Sequence, residues 1–228
     1  MKSVHCTNFV CESRCFCRGF ELAVGVDEAG RGPLAGPVMA AAAAIVLPID
    51  RRGFADLSGI VRDSKKMTPG AREAAYCRII RHKNLVCASA GVGEKIIDKI
   101  NILEASKLAM RRAVKRVIAQ MKDKISAGKI VCLIDGNFSI KIPYEQKSII
   151  GGDAKVFCIA AASIVAKVQR DRLMKKIDKL YPEYGFARHK GYGTAKHLAA
   201  IGKHGLCSVH RRTFAPCASA ARKGIMKK

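Results

Sequence analysis

Three segments of this chain end an apolar run with a bare carboxylate beside glycine: Val24-Gly25-Val26-Asp27-Glu28-Ala29-Gly30, Val131-Cys132-Leu133-Ile134-Asp135-Gly136 and Ile149-Ile150-Gly151-Gly152-Asp153. Acids are scarce here, with 18 Asp and Glu against 42 Lys and Arg, so a cluster of them needs a purpose. Carboxylates held together repel one another unless something neutralises them, and an all-oxygen set suits Mg²⁺ or Mn²⁺ rather than zinc. Two such ions roughly 4 Å apart can activate water at a phosphodiester and stabilise the oxygen that leaves. Each acid alone has a plainer reading: a turn at Asp27-Glu28, a hairpin turn at Asp135-Gly136-Asn137, a helix cap at Asp153. Recurrence of the same pattern favours one shared site.

The elements that must position these acids follow from pattern. Leu22 to Asp27 reads as a first strand; after the turn Gly30-Arg31-Gly32-Pro33, Val38 to Val46 supplies a second and Leu85 to Val92 a third, in an antiparallel meander. Thr68-Pro69 starts a helix that runs to Arg81. Asn101 can cap the next one, whose Leu103, Leu108, Ala109, Val114, Val117 and Met121 fall along one side. Gly128 ends it, Ile130 to Ile134 forms a fourth strand, and Ala154 to about Leu180 is a long helix. The helical crossover lets the fourth strand lie parallel beside the first. With neighbouring strands about 4.8 Å apart, Asp27 and Asp135 can then reach one ion.

The whole chain agrees with such a site. Its 228 residues suit one globular domain, and 49% hydrophobic with 26% charged residues is a folding composition. A net charge of +24 points to a phosphate backbone as partner. The longest apolar run, Val38 to Leu47, is about half the roughly 20 residues a membrane helix needs and reads as a buried strand. No membrane association and no secretory signal are expected, so the expected location is cytoplasmic. Ten cysteines without a repeating frame read as reduced thiols, and Cys6, Cys11, Cys15 and Cys17 match no paired zinc spacing. Residues 1–20 are expected to be a loose extension, 21–217 the domain with a helical portion from about 181, and 218–228 a basic tail.

Beyond these patterns, Val24 to Pro37, Asp63-Ser64-Lys65-Lys66, Ile134-Asp135-Gly136-Asn137 and Gly152-Asp153-Ala154-Lys155 resemble ribonuclease HII. Ala160 to Asp171, His189-Lys190-Gly191-Tyr192-Gly193-Thr194 and His210-Arg211-Arg212-Thr213-Phe214-Ala215-Pro216 extend the resemblance, in order, over about residues 22 to 216. The resemblance implies an α/β fold of the ribonuclease H type: a mixed five-stranded sheet flanked by helices, with a helical C-terminal portion. It implies an endonuclease that hydrolyses the RNA strand of RNA–DNA hybrids and nicks duplex DNA 5′ of embedded ribonucleotides, leaving 3′-hydroxyl and 5′-phosphate ends. Asp27, Glu28, Asp135 and Asp153 fall on the catalytic, metal-binding carboxylates, with two Mn²⁺ or Mg²⁺ ions as the implied cofactor. Ribonuclease HIII typically has Gly-Lys-Gly where this chain has Gly30-Arg31-Gly32, and a longer N-terminal domain, which disfavours it.

Choosing a ribonucleotide within DNA requires reading a 2′-hydroxyl. Gly30 and Gly32 can bring main-chain groups against a sugar, and the resemblance assigns Gly30-Arg31-Gly32 that role. It assigns Tyr192 to the RNA–DNA junction, where a ring flanked by glycines can stack. Lys65, Lys66, Lys190, Arg211 and Arg212 are candidate phosphate contacts; His189 and His210 receive no role. The expected partners are RNA–DNA hybrid and ribonucleotide-containing duplex DNA, acted on by a monomer; recruitment by a sliding clamp stays open. An RNA-binding or ribosome-associated protein would explain the charge but not the acids, and an integrase- or resolvase-like nuclease would also cut all-DNA duplexes.

Overall fold

The computed structural model describes residues 7–50, 52–121, 123, 125–222 and 224. Five strands, β1 (Leu22–Ala29), β2 (Val38–Val46), β3 (Val86–Val92), β4 (Ile130–Asp135) and β5 (Glu145–Ile149), form one sheet in the order β3-β2-β1-β4-β5. β1, β2 and β3 pair antiparallel, while β1, β4 and β5 pair parallel. The meander and the parallel crossover are those expected from the sequence. In register, Val26 lies opposite Ile134, which sets Asp27 and Asp135 side by side at the carboxyl ends of neighbouring strands.

Side chains alternate across a strand, and the sheet uses both faces. Ala23, Val131 and Leu133 join one core under α4 (Phe157–Leu180) and α2 (Pro69–Arg81), whereas Leu22, Val24, Val26, Cys132 and Ile134 join another under α3 (Glu94–Ala119). Asp27 and Asp135 inherit the face turned toward α4. The Thr68 hydroxyl accepts from Ala71 N at 3.2 Å and starts α2. Asn101 caps as expected, its Oδ1 accepting from Leu103 N at 2.9 Å and Glu104 N at 3.1 Å, but a further helical stretch precedes it across a kink at Asn101 (φ 63°). A third cluster, with Met174, Ile177, Tyr184 and Phe186, gathers α5 (Phe186–His189), α6 (Ala195–His204) and α7 (Ala215–Arg222).

Both ends depart from expectation. Residues 7–20 are docked rather than loose: α1 (Val10–Cys17) lies against the start of α4, where Asn8 bridges to Val156 and Phe9 sits 4.3 Å from the Phe157 ring and 5.3 Å from Phe54. Glu12 is fully buried there, and its Oε1 accepts from Cys158 N at 2.9 Å, so one carboxylate caps the first turn of α4 from another element. Residues 218–222 belong to α7. Residues 1–6, with Cys6, and residues 223 and 225–228 lie outside the described residues. Among the described residues no helix is long and apolar enough to cross a membrane.

Candidate active site

The acids meet because β1 and α4 touch backbone to backbone. A β-carbon on Gly25 would lie 2.2 Å from Cys158 C and 2.4 Å from Ile159 N, so only glycine allows this approach. It draws Asp153, just ahead of α4, onto the two strand-end acids. One carboxylate oxygen from each of Asp27, Asp135 and Asp153 lies within 4.8 Å of the others. Asp135 Oδ1 accepts from Gly152 N at 2.7 Å, Asp27 Oδ1 from Glu28 N at 2.7 Å, and Asp153 Oδ2 from Lys65 Nζ at 2.8 Å. Asp27 Oδ2 is buried with no hydrogen-bond partner among the described residues.

The electrostatics match. Burial, then the charges of Glu28 and Asp135, pushes the Asp27 carboxyl well above its usual range; burial, then Asp153, raises Asp135. A set of hard oxygen donors that repel one another, one of them orphaned, fits a divalent cation. Lys65 supplies the nearest positive charge: burial opposes its ionisation, but the bond to Asp153 and the nearby Asp27 and Asp135 carboxylates raise its pKa overall. Glu28 is the acid the sequence placed in the group and the geometry sets apart. One position beyond Asp27, it leaves β1 on the other side, where its Oε1 meets Arg31 Nη1 at 3.4 Å. It still lines the same cleft, and burial raises its carboxyl despite Arg31.

That cleft, about 260 Å³ in volume, also brings in Gly30, Arg31, Gly32, Lys65 and Tyr192. Gly30 has φ +94° and packs on Arg170, so a side chain there would be strained and obstructed. Tyr192 is half exposed and its ring lies beside Gly32. The turn is held from behind. Arg211 Nη2 donates to Gly30 O at 2.6 Å, Nη1 to Arg31 O at 2.8 Å and Nε to Gly36 O at 2.9 Å. Arg211 is completely buried, which corrects its expected place among the phosphate contacts: its fork is spent on carbonyls of the chain. Arg212 is exposed, with its backbone N–H on Asp98. Lys66 lies 3.7 Å from Asp63, and Lys190 donates to Ala187 O. His189 donates from Nε2 to Tyr184 O at 2.8 Å, and His210 is buried against His197 and Cys207.

The ribonuclease HII family profile matches residues 24–217. The chain belongs to the ribonuclease HII family. The ribonuclease HII of Polaromonas sp. is 48% identical over 201 residues, covering 88% of this chain and 93% of the relative. Among solved structures, ribonuclease H2 from Pyrococcus horikoshii OT3 is similar with a TM-score of 0.65 at 26% identity, covering 89% of this chain and 98% of that one. The Bst ribonuclease HIII in complex with Mn²⁺ shares the fold, with a TM-score of 0.71 at 17% identity over 92% of this chain and 72% of that one. As a family member the protein is a ribonuclease H, a hydrolase of the RNA strand in RNA–DNA hybrids.

Within this ribonuclease H, several groups of the cleft escaped a role in the sequence reading. Ser64 and Ser163 share a hydrogen bond of 2.8 Å beside the acids, and Lys167 binds Asp171 at 2.7 Å. Arg170, 1% exposed, donates to Pro37 O and Ala35 O. The available signal was spacing: Ser163, Lys167 and Arg170 are the polar steps at 4 and 3 residues along an otherwise apolar helix face.

Proposed function

We propose that this ribonuclease H nicks duplex DNA on the 5′ side of embedded ribonucleotides, as well as cutting continuous hybrids, and leaves 3′-hydroxyl and 5′-phosphate ends. The observation that carries the reading is the Asp27-Asp135-Asp153 group, with its orphaned Asp27 oxygen, of which Asp27 and Asp135 line one cleft with Gly30-Arg31-Gly32 and Tyr192. Asp27, Glu28, Asp135 and Asp153 would hold two divalent ions, Mg²⁺ or Mn²⁺. Bound there, such ions make water a stronger nucleophile and offset the charge that develops on the leaving oxygen.

The chain's own groups do the rest. Asp135 is fixed by Gly152 N–H and Asp27 by Glu28 N–H, so the carboxylates are oriented before substrate arrives. Main-chain groups of Gly30 to Gly32 read the ribose, and the Tyr192 ring stacks at the junction with the following deoxynucleotide. Lys65, Lys66 and Lys190 meet phosphates along the strand. Lys65 would exchange Asp153 for phosphate as the acids become neutralised.

A DNA duplex with one ribonucleotide, an all-DNA duplex and a continuous hybrid, each incubated with and without Mn²⁺ or Mg²⁺, test the reading. Cleavage of the first and third only, dependent on metal and absent in Asp135→Asn, is expected. Cutting of the all-DNA duplex, or failure on the lone ribonucleotide, would refute it.

A further inference from the structure

Behind the tyrosine loop a line of hydrogen bonds crosses the C-terminal cluster without reaching the acids. Cys207 N–H donates to His210 Nδ1 at 3.0 Å, with Cys207 Sγ 3.2 Å from the same nitrogen. His210 Nε2 lies 3.1 Å from His197 Nε2, and His197 Nδ1 lies 2.9 Å from Tyr192 O. Both rings are buried, at 0% and 2% exposure for His197 and His210.

The two ends fix every proton. A carbonyl only accepts, so His197 Nδ1 carries hydrogen; a backbone amide only donates, so His210 Nδ1 is bare. With one proton on each neutral ring, His210 Nε2 must donate to His197 Nε2, and no donor faces a donor. Stacking holds the rings in place: His189 lies on His197 at 4.5 Å, and Tyr184 meets His210 edge-on at 5.0 Å. His210 also belongs to the opposite loop. It bridges to Ala35, and the next residue is Arg211, which grips Gly30 and Arg31.

We infer that the His197–His210 pair is a positioning device for Tyr192, tying its carbonyl to the strap that holds the Gly30–Gly32 turn and so helping to set the gap in which a ribose is read. Tyr192 O also takes Thr194 N–H at 2.8 Å, which shapes the loop locally, and Gly191 O takes Leu34 N–H at 2.8 Å, which docks the loop on the facing segment one residue away; the histidines add a side-chain link from the Tyr192 carbonyl itself. The inference rests on the reading of Tyr192 and Gly30–Gly32 as the ribonucleotide-reading groups.

Amide side chains separate the pair's role from simple packing. Glutamine can replace the Nε2 edge of an imidazole and asparagine the Nδ1 edge. His210→Gln therefore keeps a donor for His197 and gives up Cys207, while His210→Asn does the reverse. The quantity read is kcat/KM on a duplex with one ribonucleotide divided by kcat/KM on a continuous hybrid, at saturating Mn²⁺, with thermal melting to check folding. His210→Asn should lower this ratio about tenfold, the size of one lost hydrogen bond, and His210→Gln distinctly less. In a Tyr192→Ala background His210→Asn should lower it no further. Equal losses for the two amides, or a loss that persists without Tyr192, would overturn the inference. If Tyr192→Ala lowers the ratio and His210→Asn does not, the pair's role alone falls. If Tyr192→Ala leaves the ratio unchanged, the reading of Tyr192 falls and this inference with it. Should the His210 variants not fold, His197→Asn and His197→Gln, which each break the line at one of its two bonds, should both lower the ratio about tenfold, and an unchanged ratio in either would overturn the inference.

Discussion

At the scale of single residues, the site is a place where stability and function oppose each other. Asp135→Asn keeps an oxygen for Gly152 N–H but removes a charge that repels Asp27 and Asp153. Without divalent ions the variant should melt a few degrees above wild type, because about 1–2 kcal/mol corresponds to roughly 2–8 °C in a domain of this size. Added Mn²⁺ should raise the wild-type melting temperature and leave the variant nearly unmoved. Cleavage should fall by about a thousandfold or more, as loss of several kcal/mol of transition-state stabilisation requires. A variant no more stable than wild type in chelator would show that the acids do not repel. Arg211→Lys tests the strap: an ammonium cannot feed three carbonyls from one plane, and leaving buried acceptors unmet should cost about 2–4 kcal/mol in urea unfolding. The acids were legible in the sequence because each interrupts an apolar run. Arg211 was misjudged because a basic residue in a basic chain looks like a surface charge, and only the burial of its guanidinium reveals the carbonyls it serves.

At the scale of elements, legibility followed periodicity. β1, β2, β3 and β4 and the helices α2, α3 and α4 were visible because their apolar spacing is strong, and the parallel placement of β1 and β4 followed from the crossover. β5 was not placed by pattern: Glu-Gln-Lys-Ser-Ile is an edge strand, largely exposed, with no buried face to write an alternation into the sequence. α1 was missed for a related reason. Its residues are mostly Cys, Arg and Ser, and it docks through small thiols, Cys11 and Cys15, together with a buried polar contact, Glu12 on the first turn of α4, rather than through a run of large apolar side chains. That contact predicts a cost. Glu12→Ala removes the partner of Cys158 N–H at the helix that carries Ser163 and borders Asp153, and should destabilise the protein by about 1–2 kcal/mol, measured as a lower urea midpoint. An unchanged midpoint would mean that α1 merely rests on the domain.

At the scale of the whole molecule, charge and acidity act on different parts. A protein of net charge +24 should bind hybrid by counterion release, losing about a hundredfold in affinity between roughly 50 and 200 mM salt when assayed with Asp135→Asn to prevent turnover. Stability against pH is set elsewhere. Burial lowers His197 from 6.5 to about 4, and burial with the neighbouring His197 lowers His210 from 6.5 to about 4. The unfolded chain therefore takes up protons below about pH 6.5 that the folded chain refuses until about pH 4, so this contribution is complete above pH 6.5 and drains away as pH falls to 4. At about 1.36 kcal/mol per unit it amounts to roughly 3 kcal/mol per histidine. Asp27, Glu28 and Asp135 act in the opposite sense: their raised pKa values mean that, without metal, their contribution is present in acid and lost as pH rises through the folded values. The histidine part is isolated by difference. Urea midpoints of wild type and His210→Gln, compared between pH 7 and pH 4.5, should show a smaller acid loss in the variant, whose carboxylates are unchanged. Parallel losses in the two proteins would mean that the buried pair already carries a proton at neutral pH.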